Sequence, residues 1–365
     1  MDFRKIAAAA VSAALALALT ACAQQEGSGS DEYVLKVGEV QGALCHAPLQ
    51  VAMEKGYLDD EGIKWERVDF GGSDIQAALG SGMIDCGFGL VGKFIQPIEN
   101  GLNMVITSGM HTGCTKLLVR ADSGIESVAD LKGRTIGVSS LASSEAITAK
   151  RALNAAGVDI SADGGEVAFA VYSPTDQPAA LMNGAVDAIS TPDPVATNAE
   201  NEYGLKVLLD TAVTEPYASE YCCVSFVSSE LAERHPDIAA AFTRAVLKAS
   251  AFVAENPEEA AQIQIDGEYV SGDARANAEI LKEYKYIPSV QGGYDALVNV
   301  AADLHDIGLL KESTDVSALV ERSFKFFDGV PDSYTVSGDE FSDVVYESKS
   351  LSAATETHVV NDCCG

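Results

Sequence analysis

The sequence DIQAALGSGMIDCGFG, residues 74–89, recurs in altered form as DQPAALMNGAVDAIST, residues 176–191. Each copy has an Asp, a Gln one or two residues later, an Ala-Ala-Leu core, a Gly, and a second Asp before an apolar run. This order predicts a short amphipathic helix, a glycine that ends it and a buried strand. The copies lie about 100 residues apart, whereas solenoid repeats recur every 20 to 50 residues, so they indicate two similar halves.

The chain around each copy alternates between strand and helix patterns. Alternating apolar residues predict strands at 33–40, 63–70, 83–89 and 103–110, and again at 131–140, 167–173 and 185–191. Such alternation is typical of α/β proteins with a parallel sheet. The sequence therefore predicts an α/β protein with two lobes.

Two further strand-like runs, residues 114–124 and 220–237, connect the predicted halves. Each leaves one half and enters the other, so we expect two crossing strands that form a hinge. Residues 230 to about 325 have helical spacing, broken at Asn256-Pro257, and should pack on the first lobe. The predicted boundaries are 34–114 with 222–332 for lobe 1, 115–221 for lobe 2 with the hinge strands, and 333–365 for a polar C-terminal tail.

The first 21 residues have the features of an export signal. Arg4 and Lys5 precede an apolar run, residues 6–21, and small residues precede Cys22. A helix of that run would span roughly 24 Å, less than the roughly 30 Å of a bilayer core. Residues 22–33 then form a polar tether rich in Gly and Ser. No second apolar run of comparable length follows, which excludes a multi-spanning membrane protein.

Charge and composition narrow the possible partners. The 365 residues contain 24 Lys and Arg against 54 Asp and Glu, a formal net charge of −30. Such a surface repels phosphate backbones, so we expect no nucleic acid partner. An acidic, solvated coat explains the charge without a cationic ligand. The 47% of apolar residues is enough for one large domain or two medium ones.

A ligand site is expected at the carboxyl ends of the strands, where open α/β sheets bind small molecules. Four serines at one predicted helix start favour capture of an anion or polar group, although helix capping alone is an alternative. The candidate ligand-binding residues are Cys45, His46, Gly72, Ser73, Phe88, His111, Cys114, Ser139, Ser140, Ser143, Ser144, Thr175, Asp176, Asp193 and Tyr221.

The cysteines allow more than one interpretation. Eight are present, and seven remain if Cys22 belongs to the signal, so at least one is free, pairs between chains or binds something. Cys222 and Cys223 should point to opposite faces of a strand and pair with each other only with difficulty. Buried thiols with one or two disulfides are one alternative. A metal site of Cys45, His46, His111 and Cys114 is another, because imidazole and thiolate bind soft metals. A polar organic ligand that hydrogen-bonds to His46 or His111 is the third.

Several motifs together resemble a known family. LTAC, residues 19–22, is similar to the bacterial lipobox, in which the cysteine takes a lipid, here Cys22. Residues 48–89, SVADLKGRTIGV (127–138) and NGAVDAIST (183–191) resemble ABC-importer solute-binding proteins for nitrate, sulfonates, taurine and thiamine-pyrimidine precursors. The resemblance covers roughly residues 34–330.

The resemblance implies a two-lobed periplasmic-binding-protein-like fold of type II, with two crossing hinge strands and a small ligand between the lobes. It implies no catalysis and no cofactor. The protein would be an extracytoplasmic monomer, lipid-anchored to the cell membrane, that delivers its ligand to ABC permease and ATPase subunits.

The ligand itself stays open. The cysteines and histidines depart from common members of the family, which leaves a metal or tetrapyrrole as an alternative to a sulfonate, nitrate or pyrimidine. Pyrimidine-precursor synthases share the fold, but no Ser-His-Asp order, P-loop or metal-hydrolase signature is present, so we expect no enzyme. A lipoprotein sensor that signals through a partner protein is a further alternative.

Overall fold

The strands form two five-stranded sheets in the computed structural model, which describes residues 33–69, 75–161 and 165–333. The strands are β1 (Val34–Glu39), β2 (Lys64–Asp69), β3 (Cys86–Leu90), β4 (Met104–Thr112), β5 (Thr115–Val119), β6 (Thr135–Val138), β7 (Ala168–Val171), β8 (Ala188–Pro192), β9 (Lys206–Asp210) and β10 (Tyr221–Ser228). Sheet A has the order β2-β1-β3-β10-β4, and sheet B has the order β7-β6-β8-β5-β9.

Both sheets are mixed, so the expectation of parallel sheets is wrong for the crossing strands. β1 pairs with β3 in parallel, and β6 pairs in parallel with β7 and β8. β10 is antiparallel to β3 and β4, and β5 is antiparallel to β8 and β9. The reason is topological: β5 and β10 enter their sheets directly from the other sheet, and therefore run against their neighbours.

The sequence repeat corresponds to one local structure built twice. In each copy the second Asp makes two hydrogen bonds to one residue of the neighbouring parallel strand, one through its backbone N–H and one through its carboxylate. Asp85 N donates to Lys36 O at 2.8 Å, and its carboxylate accepts from Lys36 N at 2.9 Å. Asp187 makes the same two bonds to Thr135, at 2.8 and 2.9 Å. The repeated Asp thus fixes the register of one parallel strand against the next.

Helices cover the sheets and connect the strands. They are α1 (Ala47–Glu54), α2 (Tyr57–Asp60), α3 (Ile75–Gly80), α4 (Gly92–Glu99), α5 (Ser144–Ala155), α6 (Gln177–Met182), α7 (Val195–Tyr203), α8 (Ser229–Arg234), α9 (Pro236–Glu255), α10 (Pro257–Asp266), α11 (Ala274–Glu283), α12 (Val290–Asp306) and α13 (Val316–Ser323). The predicted break at Asn256-Pro257 separates α9 from α10. α9 lies against α1 and α2, and α12 lies against β4. The sequence pattern did not predict α7 or β9.

Apolar cores lie on both faces of sheet B and around sheet A. Leu117 packs with α5 on one face of sheet B, and its neighbour Leu118 packs with α6 and α7 on the other. Successive residues of a strand point to opposite faces, so a central strand covered by helices on both sides is apolar throughout. A larger core with Phe94 and Phe226 joins sheet A to α4, α12 and α13.

Several predicted features lie outside the described residues. These are the export signal, Cys22, the tether up to residue 32, Gly72, Ser73 and the tail from residue 334. Within the described part of the chain, none of the helices combines the length and apolar character needed to cross a membrane.

Candidate functional site

The chain passes between the sheets at two adjacent points. β4 leads through Gly113 and Cys114 into β5, and β9 leads through Thr211 toward β10. The Thr211 hydroxyl accepts from Cys114 N and from Thr115 N, both at 3.0 Å, and donates to Thr115 O at 3.0 Å. One side chain therefore joins the two crossing segments.

Four thiols and one imidazole converge beside these crossings. Cys45, His111 and Cys223 have their ligand atoms within 4.8 Å of one another, and so do Cys114, Cys222 and Cys223. The sulfur atoms of Cys114 and Cys222 lie 3.2 Å apart. Cys222 is partly buried and the others are buried. We call these five residues the thiol cluster.

The strand ends position the thiol cluster. Cys45 lies in a 3₁₀ turn, Leu44–His46, that follows β1. His111 lies near the carboxyl end of β4, directly opposite Cys223 of β10. Because β10 is antiparallel, its first residues lie at the edge where β1, β3 and β4 end. The structure thus brings together Cys45, His111 and Cys114, three of the candidates that the sequence indicates.

The expectation that Cys222 and Cys223 point to opposite faces is wrong. The β10–β4 register shifts between Tyr221 and Cys223 and again between Cys223 and Val224. Such a β-bulge disrupts the alternation of side chains and redirects one of them. Both sulfur atoms consequently lie within 4.8 Å of each other and of Cys114.

The thiols of Cys114, Cys222 and Cys223 are hydrogen-bonded to one another, which changes the pKa of each. Burial opposes charge on Cys222, but hydrogen bonds from the thiols of Cys114 and Cys223 outweigh it and lower the pKa of Cys222 to about 6. The hydrogen bond to Cys222 raises the pKa of Cys114, and those to Cys114 and Cys222 raise the pKa of Cys223. Hydrogen bonding within the group therefore favours the thiolate form at Cys222 over Cys114 and Cys223.

Two tyrosines between α11 and α12 enclose His111. Tyr284 stacks on the imidazole with a centroid distance of 5.2 Å and an interplanar angle of 11°, and the Tyr286 centroid lies 4.8 Å away. Backbone bonding of Thr112 N to Lys285 O at 3.3 Å holds this segment beside β4. The Tyr286 hydroxyl and His111 Nε2 have no hydrogen-bond partner within the described structure, whereas the Tyr284 hydroxyl lies near the Asp193 carboxyl and acts to lower its pKa. Burying such atoms is costly, so they mark where a ligand would supply interactions.

His46 belongs to a neighbouring polar network. Gln50 Nε2 donates to Glu39 Oε1 at 2.7 Å, and His46 Nδ1 lies 3.8 Å from the same oxygen. Burial raises the pKa of Glu39 to about 8 and lowers the pKa of His46. The ring of Phe88, which is fully buried, lies 6.1 Å from that of His46. His46 therefore borders the site and is not one of the five clustered ligands.

The four serines before and within α5 have different roles. Ser143 caps the helix by accepting from Ala146 N at 3.4 Å, and Ser139 donates to Glu145. Ser140 is exposed. Ser144 is buried, its hydroxyl has no partner among the described residues, and it lines a small cleft with Arg151 and Cys222. Of the four, Ser144 is the hydroxyl that faces the space beside the thiol cluster.

The remaining candidates are spread over the molecule. Thr175 and Asp176 are exposed and bonded to Ser173, at 3.0 and 2.6 Å. The Tyr221 hydroxyl donates to Ile287 O. Asp193 is buried at the crossing, where its N–H donates to Cys114 O at 3.0 Å, and burial raises the pKa of its carboxyl. Asp193 thus contacts Cys114 of the thiol cluster, Tyr221 precedes Cys222 on β10, and Thr175 and Asp176 bond to Ser173 instead.

Ion pairs connect elements of the two sheets across the site. Arg151 of α5 donates to both carboxylate oxygens of Glu220, at 2.6 and 2.9 Å, and its Nε donates to Asp303 of α12 at 2.7 Å. Burial opposes the charge of Arg151, but its bonds to these carboxylates outweigh burial and raise its pKa. Lys116 of β5 similarly lies 3.7 Å from Glu283 of α11. The sequence analysis did not predict these ion-pair residues or the two tyrosines beside His111 as part of the site. Nothing in their local sequence indicates contacts with distant elements.

Comparisons with known proteins agree with this architecture. The sequence model of the family described as "NMT1/THI5 like" matches residues 44–260. A "Putative aliphatic sulfonates-binding protein" of Bacillus subtilis is 29% identical over 261 residues, which cover 68% of this chain and 74% of that protein. The family match therefore contains every strand from β2 to β10.

The solved structures share the fold at low sequence identity. The periplasmic aliphatic sulphonate-binding protein SsuA from Escherichia coli has a TM-score of 0.64 at 20% identity, covering 87% of this chain and 98% of its own. The periplasmic nitrate-binding protein NrtA from Synechocystis PCC 6803 has a TM-score of 0.65 at 17% identity, covering 80% and 86%. The predicted fold class, a two-lobed α/β periplasmic-binding-protein-like fold with crossing strands, is confirmed.

Proposed function

Because this chain belongs to the NMT1/THI5-like family, we propose that it is the extracytoplasmic solute-binding protein of an ABC importer. In this proposal residues 34–114 with 222–332 form one lobe and residues 115–221 the other. The lobes close on a small solute and present it to a membrane permease that a separate ATPase drives. The sulfonate-binding name of the Bacillus relative supports a transport role.

One structural observation carries the proposal. His111 Nε2 and the Tyr286 hydroxyl are buried beside the crossing segments without partners among the described residues, and nearby Arg151 of α5 bonds to Asp303 of α12. A buried polar atom is stable only when it is hydrogen-bonded or coordinated. An enclosed set of such atoms at strand ends is typical of a binding site for a small solute.

The same site gives little support to an enzyme. Arg151, which lines the cleft, and Lys116 of β5 are buried cations that are both held in ion pairs with carboxylates. No serine nucleophile lies beside a histidine base among the contacts described for the cleft. The relatives that match are binding proteins. We therefore propose binding and delivery without catalysis.

We propose a lipid anchor at Cys22 for the mature protein. The motif LTAC, residues 19–22, is the support for this attachment. A single acyl chain binds membranes only marginally, so more than one chain is expected. Metabolic labelling with radioactive palmitate should mark the protein, and Cys22→Ala should remove the label. If the Cys22→Ala variant is labelled as strongly as the unaltered chain, the anchor proposal is wrong.

A solute screen tests the binding function. The purified protein is melted in the presence of alkanesulfonates, nitrate, aminopyrimidines and transition-metal ions, because a ligand of the folded state raises the melting temperature. A solute that raises it should also decrease the radius of gyration in X-ray scattering as the lobes close. If no class of solute changes either quantity, the proposal of a solute-binding protein fails.

A further inference from the structure

We propose that the thiol cluster is the solute site itself and that it takes a soft, thiophilic metal ion, with Cu(I) as the best-fitting species. This inference rests on the proposed transport function and names its cargo. The proposed solute is a metal ion and not an organic anion, because most of the side chains that converge at the strand ends are sulfur donors.

The ligand set is the first argument. Cys45, Cys114, Cys222 and Cys223 supply sulfur, His111 supplies nitrogen, and neither three-residue group contains a carboxylate. Thiolate and imidazole select Cu(I) and Zn(II), whereas Mg(II) and Ca(II) need oxygen ligands. The neighbouring cation, Arg151, is already bound to Glu220, which leaves its charge less available to an anion.

Distances are the second argument. A metal–sulfur bond of about 2.3 Å places three sulfur ligands roughly 3.8 to 4.0 Å from one another. The two groups hold their ligand atoms within 4.8 Å, so small side-chain rotations suffice. The sulfur atoms of Cys114 and Cys222, which lie 3.2 Å apart, must move apart slightly. The sulfur atom of Cys223 lies within 4.8 Å of both, which is close enough for it to join them as a third ligand.

The number of ligands distinguishes Cu(I) from Zn(II). Each group offers three ligand atoms, and Cys223 belongs to both. Structural zinc sites close around four protein ligands, whereas soft Cu(I) accepts a three-ligand, sulfur-rich environment. Among the described residues no four of these ligand atoms lie within 4.8 Å of one another, so a four-ligand zinc site would need larger side-chain movements than a three-ligand Cu(I) site.

His111 is independently prepared for a ligand. Its Nδ1 lies 3.2 Å from Thr112 O and 3.7 Å from Cys222 Sγ, and in the tautomer with the proton on Nδ1 the ring donates to this carbonyl. The proton on Nδ1 leaves a lone pair on Nε2, which is buried without a partner among the described residues. This is the tautomer that metal-binding histidines adopt when a backbone carbonyl orients them. Stacking on Tyr284 fixes the plane of the ring.

Metal entry needs no oxidation or reduction. Cu(I) enters as Cu(I), each thiol that becomes a ligand releases its proton to solvent, and a metal–sulfur bond replaces the sulfur–hydrogen bond. The competing fate in an oxidising compartment is a disulfide between Cys114 and Cys222, which would remove two of the five ligands. The test therefore begins with fully reduced protein.

The experiment compares three proteins of full length under anaerobic, reducing conditions: the unaltered chain, Cys223→Ser and Cys86→Ser. Cys86 is the matched control, because it is a buried thiol that belongs to neither group. Cu(I) affinity is measured by competition with a chromophoric Cu(I) chelator, and sulfur ligation by X-ray absorption. Circular dichroism checks that each variant is folded.

The expected result is Cu(I) held by sulfur ligands in the unaltered chain, an affinity at least 100-fold lower for Cys223→Ser, and a change of less than threefold for Cys86→Ser. Zn(II) should bind at least 100-fold more weakly than Cu(I). If Cys223→Ser binds like the unaltered chain, or if reduced protein takes no Cu(I), the metal proposal is overturned. If a sulfonate, nitrate or a pyrimidine then raises the melting temperature, solute binding stands without it; if nothing does, both fail.

Discussion

The sulfur atoms of Cys114 and Cys222 lie 3.2 Å apart, although 108 positions separate the two residues in the sequence. One residue lies on the way from sheet A to sheet B and the other at the start of the strand that returns. The contact therefore exists only where both crossings are correctly placed. Formation of a disulfide between these two residues would therefore test the geometry of both crossings.

We expect diamide to join Cys114 and Cys222 in a disulfide. Each thiol gives up one hydrogen, and diamide takes up both, so the sulfur atoms need only a small movement to bond. Peptide mass spectrometry after alkylation should show this link within minutes, whereas Cys86 stays alkylatable after unfolding. Prior loading with the site's ligand should protect both thiols. A mixture of links to Cys45 and Cys223 would contradict the specific proximity of this pair.

Glu39 should make stability depend on pH. Burial raises its folded pKa to about 8 from its ordinary value of 4.5, so the folded protein holds a proton that the unfolded chain releases in this interval. Stability due to this group is therefore present below about pH 4.5 and is lost as pH rises through 8. Glu39→Gln keeps the acceptor for Gln50 and removes the titration.

The measurement is the free energy of unfolding in urea at pH 5 and at pH 8. The unaltered chain should lose up to about 4 kcal/mol more than Glu39→Gln over this range, by about 1.4 kcal/mol per pKa unit. Glu230→Gln is the control, because Glu230 is exposed and pairs with Arg234 within its own helix. Equal pH dependence in all three proteins would show that Glu39 is ionised when folded.

Asp303→Asn should favour separation of the sheets. Arg151 keeps its two bonds to Glu220 but loses the charged partner on α12. The Asp303 side chain is 47% exposed, so the pair contributes no more than about 1 kcal/mol. Solute affinity should fall about fivefold and the radius of gyration should increase. Asp306→Asn, on the exposed side of α12, should change neither, and an identical effect of both variants would exclude a specific closing contact.

Gly113→Ala should damage the crossing. Gly113 has a φ of +71°, and an added Cβ would lie 2.4 Å from Ala212 Cα in the other crossing segment. Gly124 has nearly the same φ, +72°, but open space around it. Gly124→Ala should cost about 1 kcal/mol from the backbone alone, and Gly113→Ala at least about 2 kcal/mol more from the overlap. Denaturant unfolding of both variants measures the difference, and equal costs would exclude the close approach.

Local patterns were sufficient to predict most of the strands, both copies of the repeat and the strand-end positions of Cys45, His111 and Cys114. The bulge that turns Cys222 and Cys223 together was not predictable, because it depends on how β10 meets β4. The Arg151–Asp303 bond joins residues 152 positions apart. Tyr284 and Tyr286 reach His111 only because the segment after α11 lies beside β4. Such contacts depend on packing that no short stretch of sequence encodes.

In the proposed closure of the lobes, the Thr211 hydroxyl lies where the axis of rotation is expected. Its three bonds to the other crossing segment keep the two connections side by side. If one sheet rotates as a rigid body relative to the other, we expect the axis to pass near Thr211. A small rotation about this axis would move the edge strands β2 and β7 farthest. Distance probes on those two strands would therefore detect a motion that is very small at Thr211.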